Sequence, residues 1–250
     1  MRKIACLLAL MFVSTAAAAQ TRSVMIEDLT TNEVQAALDA GKTTAIYYAG
    51  GTHQSGPAIA LGKHNFIAPL LARRIAEELG NALVLPINPY APAGDYVRKT
   101  GHMRFAGTVS ITEATFIAVS KDVVSSALAE GFKHVVVVNE HGGSQAALKK
   151  MAEDLDAEWA PKGARVFFAP AYDEGEKAFI EYLTKLNVAS EFHTPVDDAA
   201  ELMALDAAKW VRADKLPPEV ARVATPAVGR TFIDNKVNAA VASIRAQMAK

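Results

Sequence analysis

Short apolar runs alternate along this chain with longer stretches in which apolar residues recur every three or four positions. Residues 43–48 are β-branched and aromatic and stop at Gly50-Gly51, as a strand does on entering a turn. Val135, Val136, Val137 and Val138 are apolar on both faces, which suits a central parallel strand covered by helices on each side. Residues 82–87 and 164–169 read as further strands. Residues 65–79 place Ile67, Leu70, Leu71, Ile75 and Leu79 at helical spacing, closed by Gly80. Thr30-Thr31-Asn32-Glu33 has the form of a capping box and opens a short helix ending at Gly41. Residues 112–130, 143–159, 174–186 and 198–210 continue the helical series. Regular strand–helix alternation predicts an α/β fold, a three-layer α/β/α sandwich around a mostly parallel sheet.

The first nineteen residues break this pattern. Arg2 and Lys3 precede an apolar stretch, Ile4 to Val13, and then small residues through Ala19. That is the layout of a secretory signal peptide. The apolar core is shorter than the ~20 residues that span a bilayer, so no membrane anchor is expected. Residues 20–250 are expected to form one domain, secreted, with the bacterial periplasm as its compartment. The single cysteine, Cys6, lies in the leader, so the mature chain has no disulfide. With 26 Lys+Arg against 27 Asp+Glu, the net charge of −1 gives no electrostatic support for nucleic-acid binding.

Candidate chemistry gathers on histidines. Five of six sit in short turn-flanked motifs: His53 in Gly-Gly-Thr-His-Gln-Ser-Gly-Pro, His64 in Leu-Gly-Lys-His-Asn, His102 in Thr-Gly-His-Met, His141 in Asn-Glu-His-Gly-Gly and His193 in Phe-His-Thr-Pro. Imidazole is the commonest protein metal ligand and the usual proton carrier near neutral pH. In parallel sheets ligands bind beyond the carboxyl ends of the strands. His53 and His141 each follow directly on a predicted strand. Three imidazoles, His53, His64 and His141, can form one tetrahedral site with a fourth position left open. Neutral imidazoles suit zinc, with iron or manganese as alternatives.

The order of these motifs resembles the creatininase family (creatinine amidohydrolase and relatives). The likeness runs over residues 47–210, through Gly50 to Ala58, His64, the Gly101–Thr108 stretch, Asn139 to Ser144 and His193 to Ala200. The resemblance implies a metal-dependent hydrolase of C–N bonds in small or cyclic amides, frequently hexameric. A small-molecule substrate and a homo-oligomer are therefore the expected partners. In such chemistry the metal polarises a carbonyl and activates water, and a nearby carboxylate moves the proton.

Residue by residue, the family's first acidic ligand corresponds to His53, its next histidine to Ser55 and its bridging Asp to His64, while the turn histidine is kept as His141. A Glu two positions after that histidine corresponds to Gly143. The late acid corresponds to Val196 or Asp198. A histidine cannot bridge two cations, so one divalent ion is expected rather than two. Asp198 and Glu140 are the candidate proton carriers or ligand-orienting acids, with capping of the late helix the competing role for Asp197 or Asp198. Gln54, Ser55, His102, His193, Gly142 and Gly143 are the candidate substrate-binding residues. Loss of the acidic ligands also motivates a rival: a non-catalytic metal- or solute-binding descendant of the same scaffold.

Overall fold

A computed structural model describes residues 23–188 and 195–249. The expected leader, residues 1–19, lies outside the described residues. Four strands form one sheet in the order β2-β1-β3-β4, with every pair parallel. They are β1 (Thr44–Ala49), β2 (Ala82–Val84), β3 (His134–Asn139) and β4 (Arg165–Phe168). The register aligns Thr44 with His134 and Ala49 with Asn139, so the two central strands end level. The expected three-layer α/β fold is therefore what forms.

Alternating side chains divide the core in two. Ile46, Tyr48, Val136 and Val138 pack under α2 (Lys63–Leu79) and α8 (Pro226–Met248). Ala45, Tyr47, Val135 and Val137 face the other layer, α3 (Glu113–Ala129) and α4 (Gln145–Trp159), with α1 (Thr31–Asp39) at its margin. Both faces of β1 are buried, as its unbroken apolar run requires. The capping box at Thr30 and Glu33 is present.

A third cluster extends the first layer beyond the sheet. It joins α5 (Ala171–Lys185), α6 (Pro195–Trp210), α7 (Pro218–Val223) and α8 around Phe179, Leu202 and Phe232. α6 is broken at Asp206, whose φ of −163° and ψ of 90° are extended. Close approach of α8 to α6 depends on Gly229, where a Cβ would fall 1.9 Å from the Ala200 carbonyl oxygen. Backbone cannot yield as a side-chain tip does. Gly229→Ala should therefore cost about 1–3 kcal/mol, read as a lower urea midpoint at unchanged slope.

Several boundaries differ from the sequence pattern, and two matter for the site. α2 begins at Lys63, not 65, which places Lys63 and His64 in its first turn. α6 begins at Pro195, not 198, which brings Asp197 and Asp198 into its first turn.

Candidate active site

The carboxyl ends of β1 and β3 deliver the site's first two histidines. After Ala49 the chain turns through Gly50-Gly51, and Asn65 of α2 holds that turn: its Oδ1 accepts from the Gly51 N–H at 2.8 Å and its Nδ2 donates to Thr52 Oγ1 at 2.9 Å. A Cβ at position 50 would sit 2.2 Å from Asn65 Oδ1, so only glycine permits the contact. The His53 N–H then donates to the Leu61 carbonyl at 3.0 Å, closing the loop that returns to α2 and His64. On β3, Asn139 fixes the next turn by donating to the His141 carbonyl at 2.7 Å and accepting from the His141 N–H at 3.2 Å.

These turns bring His53, His64 and His141 together although they are far apart in the chain. Ring centroids lie 5.0 Å apart for His53–His64, 5.0 Å for His53–His141 and 6.0 Å for His64–His141. His102, from the long loop after β2, stacks on His53 at 4.0 Å, and its Nδ1 faces Gln54 Nε2 at 3.3 Å. The three ring-bearing side chains of the expected site are buried, at 4%, 6% and 6% exposure for His53, His64 and His141. His53 Nδ1 lies 3.0 Å from the Gln54 carbonyl and His141 Nδ1 lies 3.2 Å from Ser144 Oγ. Oxygen partners at Nδ1 orient a histidine so that Nε2 is the donor left for a ligand. His53 Nε2 is buried without a hydrogen-bond partner in the described structure.

In kind, these donors fit a borderline divalent cation. They are not yet closed around one: among the described residues, no group of three or more His, Cys, Asp or Glu side chains already gathers as a metal-holding set. Burial and then the neighbouring Lys63 charge push His53 down to about 4, against a weaker opposing pull from the Gln54 carbonyl. Burial, Lys63 and the other imidazoles hold His64 well below the usual histidine value. Both rings are neutral at pH 7, the form that ligates metals.

A folded-state value below the unfolded one carries no penalty above pH 6.5. The cost grows as pH falls from 6.5 to about 4, where the unfolded chain takes protons that the folded chain refuses. We therefore expect the His53 and His64 Cε1–H resonances of metal-free protein to remain at neutral-imidazole positions at pH 5.5. Titration near 6.5 would contradict the buried arrangement.

The histidines line a cavity of about 680 Å³. Pro57, Ala58, Ile59, Leu216 and Pro217 contribute apolar lining to it. Gln54, Ser55, Gly142, Gly143 and His102 also line it. His193 lies outside the described residues.

Two carboxylates divide the expected acid roles differently from the sequence reading. Asp198 reaches the cavity, where its Oδ2 accepts from both Lys63 Nζ and Ser55 Oγ. Burial alone would raise its carboxyl, but the Lys63 charge and these hydrogen bonds outweigh burial and leave it low. Its neighbour Asp197, which sequence offered only as a cap, also lines the cavity. Burial and then the Asp198 charge push the Asp197 carboxyl well above its ordinary value. The Asp198 N–H donates to Asp197 Oδ1 at 2.6 Å.

Glu140 corrects the expectation of a proton carrier. It is 0% exposed and absent from the cavity wall. Its carboxylate turns beneath the sheet's end, held by Lys236 Nζ of α8 and by the Tyr48 hydroxyl at 2.8 Å. Neighbours in an extended turn point to opposite sides, so His141 faces the cavity because Glu140 faces the core. Lys236 also donates to Glu201 Oε2 at 3.0 Å. Burial raises Glu201 to about 8 despite that lysine.

Lys236 and Glu201 escaped the sequence reading. The readable signal was a lysine inside the apolar stripe Phe232, Ile233, Lys236, Val237 and Ala240.

The family profile Creatininase: Creatinine amidohydrolase matches residues 27–245, and the chain belongs to this family. It is 38% identical over 123 residues to the mycofactocin precursor peptide peptidase of Mycobacterium tuberculosis (strain CDC 1551 / Oshkosh), covering 45% of this chain and 47% of that protein. It is 26% identical over 121 residues to the creatinine amidohydrolase of Pseudomonas putida, covering 48% and 46%. The chain thus aligns with about half the length of these curated relatives. A solved creatininase mutant described as Zn-Zn type superposes with a TM-score of 0.72 at 19% identity, over 90% of this chain and 98% of that one. That likeness concerns the fold.

Proposed function

We propose that this protein hydrolyses the C–N bond of amides, using one divalent cation held by His53, His64 and His141. The observation that carries the reading is the meeting of three buried imidazoles, centroids 5.0–6.0 Å apart, on the wall of a large cavity. Zinc suits an all-imidazole set best. When bound, the ion supplies Lewis acidity at the scissile carbonyl and lowers the pKa of water. Because His64 stands where a bridging carboxylate is expected, the reading requires one ion.

The remaining steps belong to side chains of this chain. Ser55 and Lys63 fix the Asp198 carboxylate, which orients the attacking water and takes its proton as attack proceeds. Asp197 keeps its proton and delivers it to the leaving nitrogen. Two adjacent carboxyls whose surroundings drive their affinities apart make a natural base and acid pair. Gln54 orients His102 on the cavity wall, and Gly142 and Gly143 let substrate approach the His141 turn closely.

Cavity size bears on the substrate. About 680 Å³ lies within the range of ligand pockets and exceeds what one small ring needs. With the peptidase name of one relative, this favours acyl or short-peptide amides alongside cyclic amides. The test is turnover of a panel of lactams, acylamides and dipeptides by zinc- or manganese-loaded protein. Asp197→Asn should lower kcat about 100-fold while KM changes little. Tight metal or amide binding without turnover across the panel would favour the non-catalytic alternative. We also propose export, with residues 1–19 removed; N-terminal sequencing of protein recovered outside the cytoplasm tests it.

A further inference from the structure

Lys63 has a place in the cavity that the hydrolytic scheme does not exhaust. It is the only Lys or Arg among the described residues lining the cavity. Its side chain is 10% exposed, so the stem is packed and the ammonium cannot swing into solvent. An ammonium carries three N–H donors. The recorded hydrogen-bond partner of Nζ is Asp198 Oδ2, an oxygen that also accepts from Ser55. Among the described residues Asp198 is the one hydrogen-bond partner of this cavity-lining ammonium, which leaves two N–H donors for a ligand, and buried charged donors are costly to leave unmet.

The same cavity carries apolar lining from Ile59, Leu216 and Pro217.

We propose that Lys63 forms a carboxylate subsite, and that this protein takes amides bearing a free carboxylate and an apolar group, as N-acyl amino acids and short peptides do. The carboxylate accepts the free Lys63 N–H groups while the apolar group lies on the Ile59–Leu216–Pro217 wall. As a statement about substrate it rests on the hydrolase reading; as a statement about binding it does not.

The probes are N-acetylphenylalanine and its neutral carboxamide, titrated calorimetrically into full-length protein after chelator treatment and again with zinc. Wild type should bind the acid at least about tenfold more tightly than the carboxamide in both states. Lys63→Met together with Asp198→Asn removes the cation without stranding a buried carboxylate, and should abolish that preference. Asp198→Asn alone releases the ammonium from its partner and should enlarge it, a change of sign that a merely structural lysine would not produce.

Equal binding of the two probes, or a preference surviving in the double variant, overturns the proposal. Turnover is assayed separately on the same amides. Preference without turnover keeps the subsite and sinks the hydrolase; turnover without preference does the reverse.

Discussion

Lys236→Met should be among the most destabilising single substitutions in this chain, costing about 3–5 kcal/mol. Lys236 is 1% exposed and has two carboxylates for partners, Glu140 and Glu201, exposed by 1% and 6%. Removing the lysine leaves two acids in a medium that cannot solvate charge. Burial pushes the Lys236 ammonium down, yet the charges of Glu140 and Glu201 outweigh it and hold the value above that of an ordinary lysine. For a domain of this size the loss corresponds to a fall in Tm of roughly 10 °C. Adding Glu140→Gln and Glu201→Gln to Lys236→Met should recover most of it, because breaking a buried pair is worse than replacing it. A Tm within about 2 °C of wild type for the single variant would show that the triad carries no such load. The same network fixes the turn that aims His141, so the single variant should also bind zinc more weakly.

The second large effect belongs to His141→Gln. His141 is buried, its Nδ1 faces Ser144 and its backbone is pinned by Asn139 and Gln145. Glutamine preserves much of the volume but cannot supply an imidazole nitrogen at the same point. Loss of one of three ligands should weaken zinc binding by at least 100-fold and kcat/KM by about 1,000-fold, near 4 kcal/mol of transition-state stabilisation. His102→Gln should cost less, about tenfold, because His102 stacks on His53 from the outer loop. Comparable losses in the two variants would mean that the site is centred differently.

Much of the fold was legible because its signals are local and periodic. The valine run of β3, the Thr30 capping box and the Gly80 helix stop each act within a few residues, and each formed where the pattern placed it. Motif order then named the three histidines, since strand ends in a parallel sheet share one rim.

What stayed hidden depends on partners distant in sequence. Glu140 reads as a site acid until Lys236, 96 residues away, turns it inward. Lys63 and Asp198, 135 residues apart, read as unrelated until α2 and α6 place them side by side. Asp197 and Asp198 look like interchangeable caps, and only their different surroundings drive their carboxyls in opposite directions, Asp197 up and Asp198 down.

The cluster of imidazoles is tested most directly by counting metal. Protein purified without added ions, loaded with zinc and freed of excess, should hold about one ion per chain. His53→Gln, His64→Gln and His141→Gln should each lose it while keeping the wild-type far-ultraviolet circular dichroism spectrum. Two ions per chain, or amide turnover that persists with none, would contradict a single cation held by three histidines.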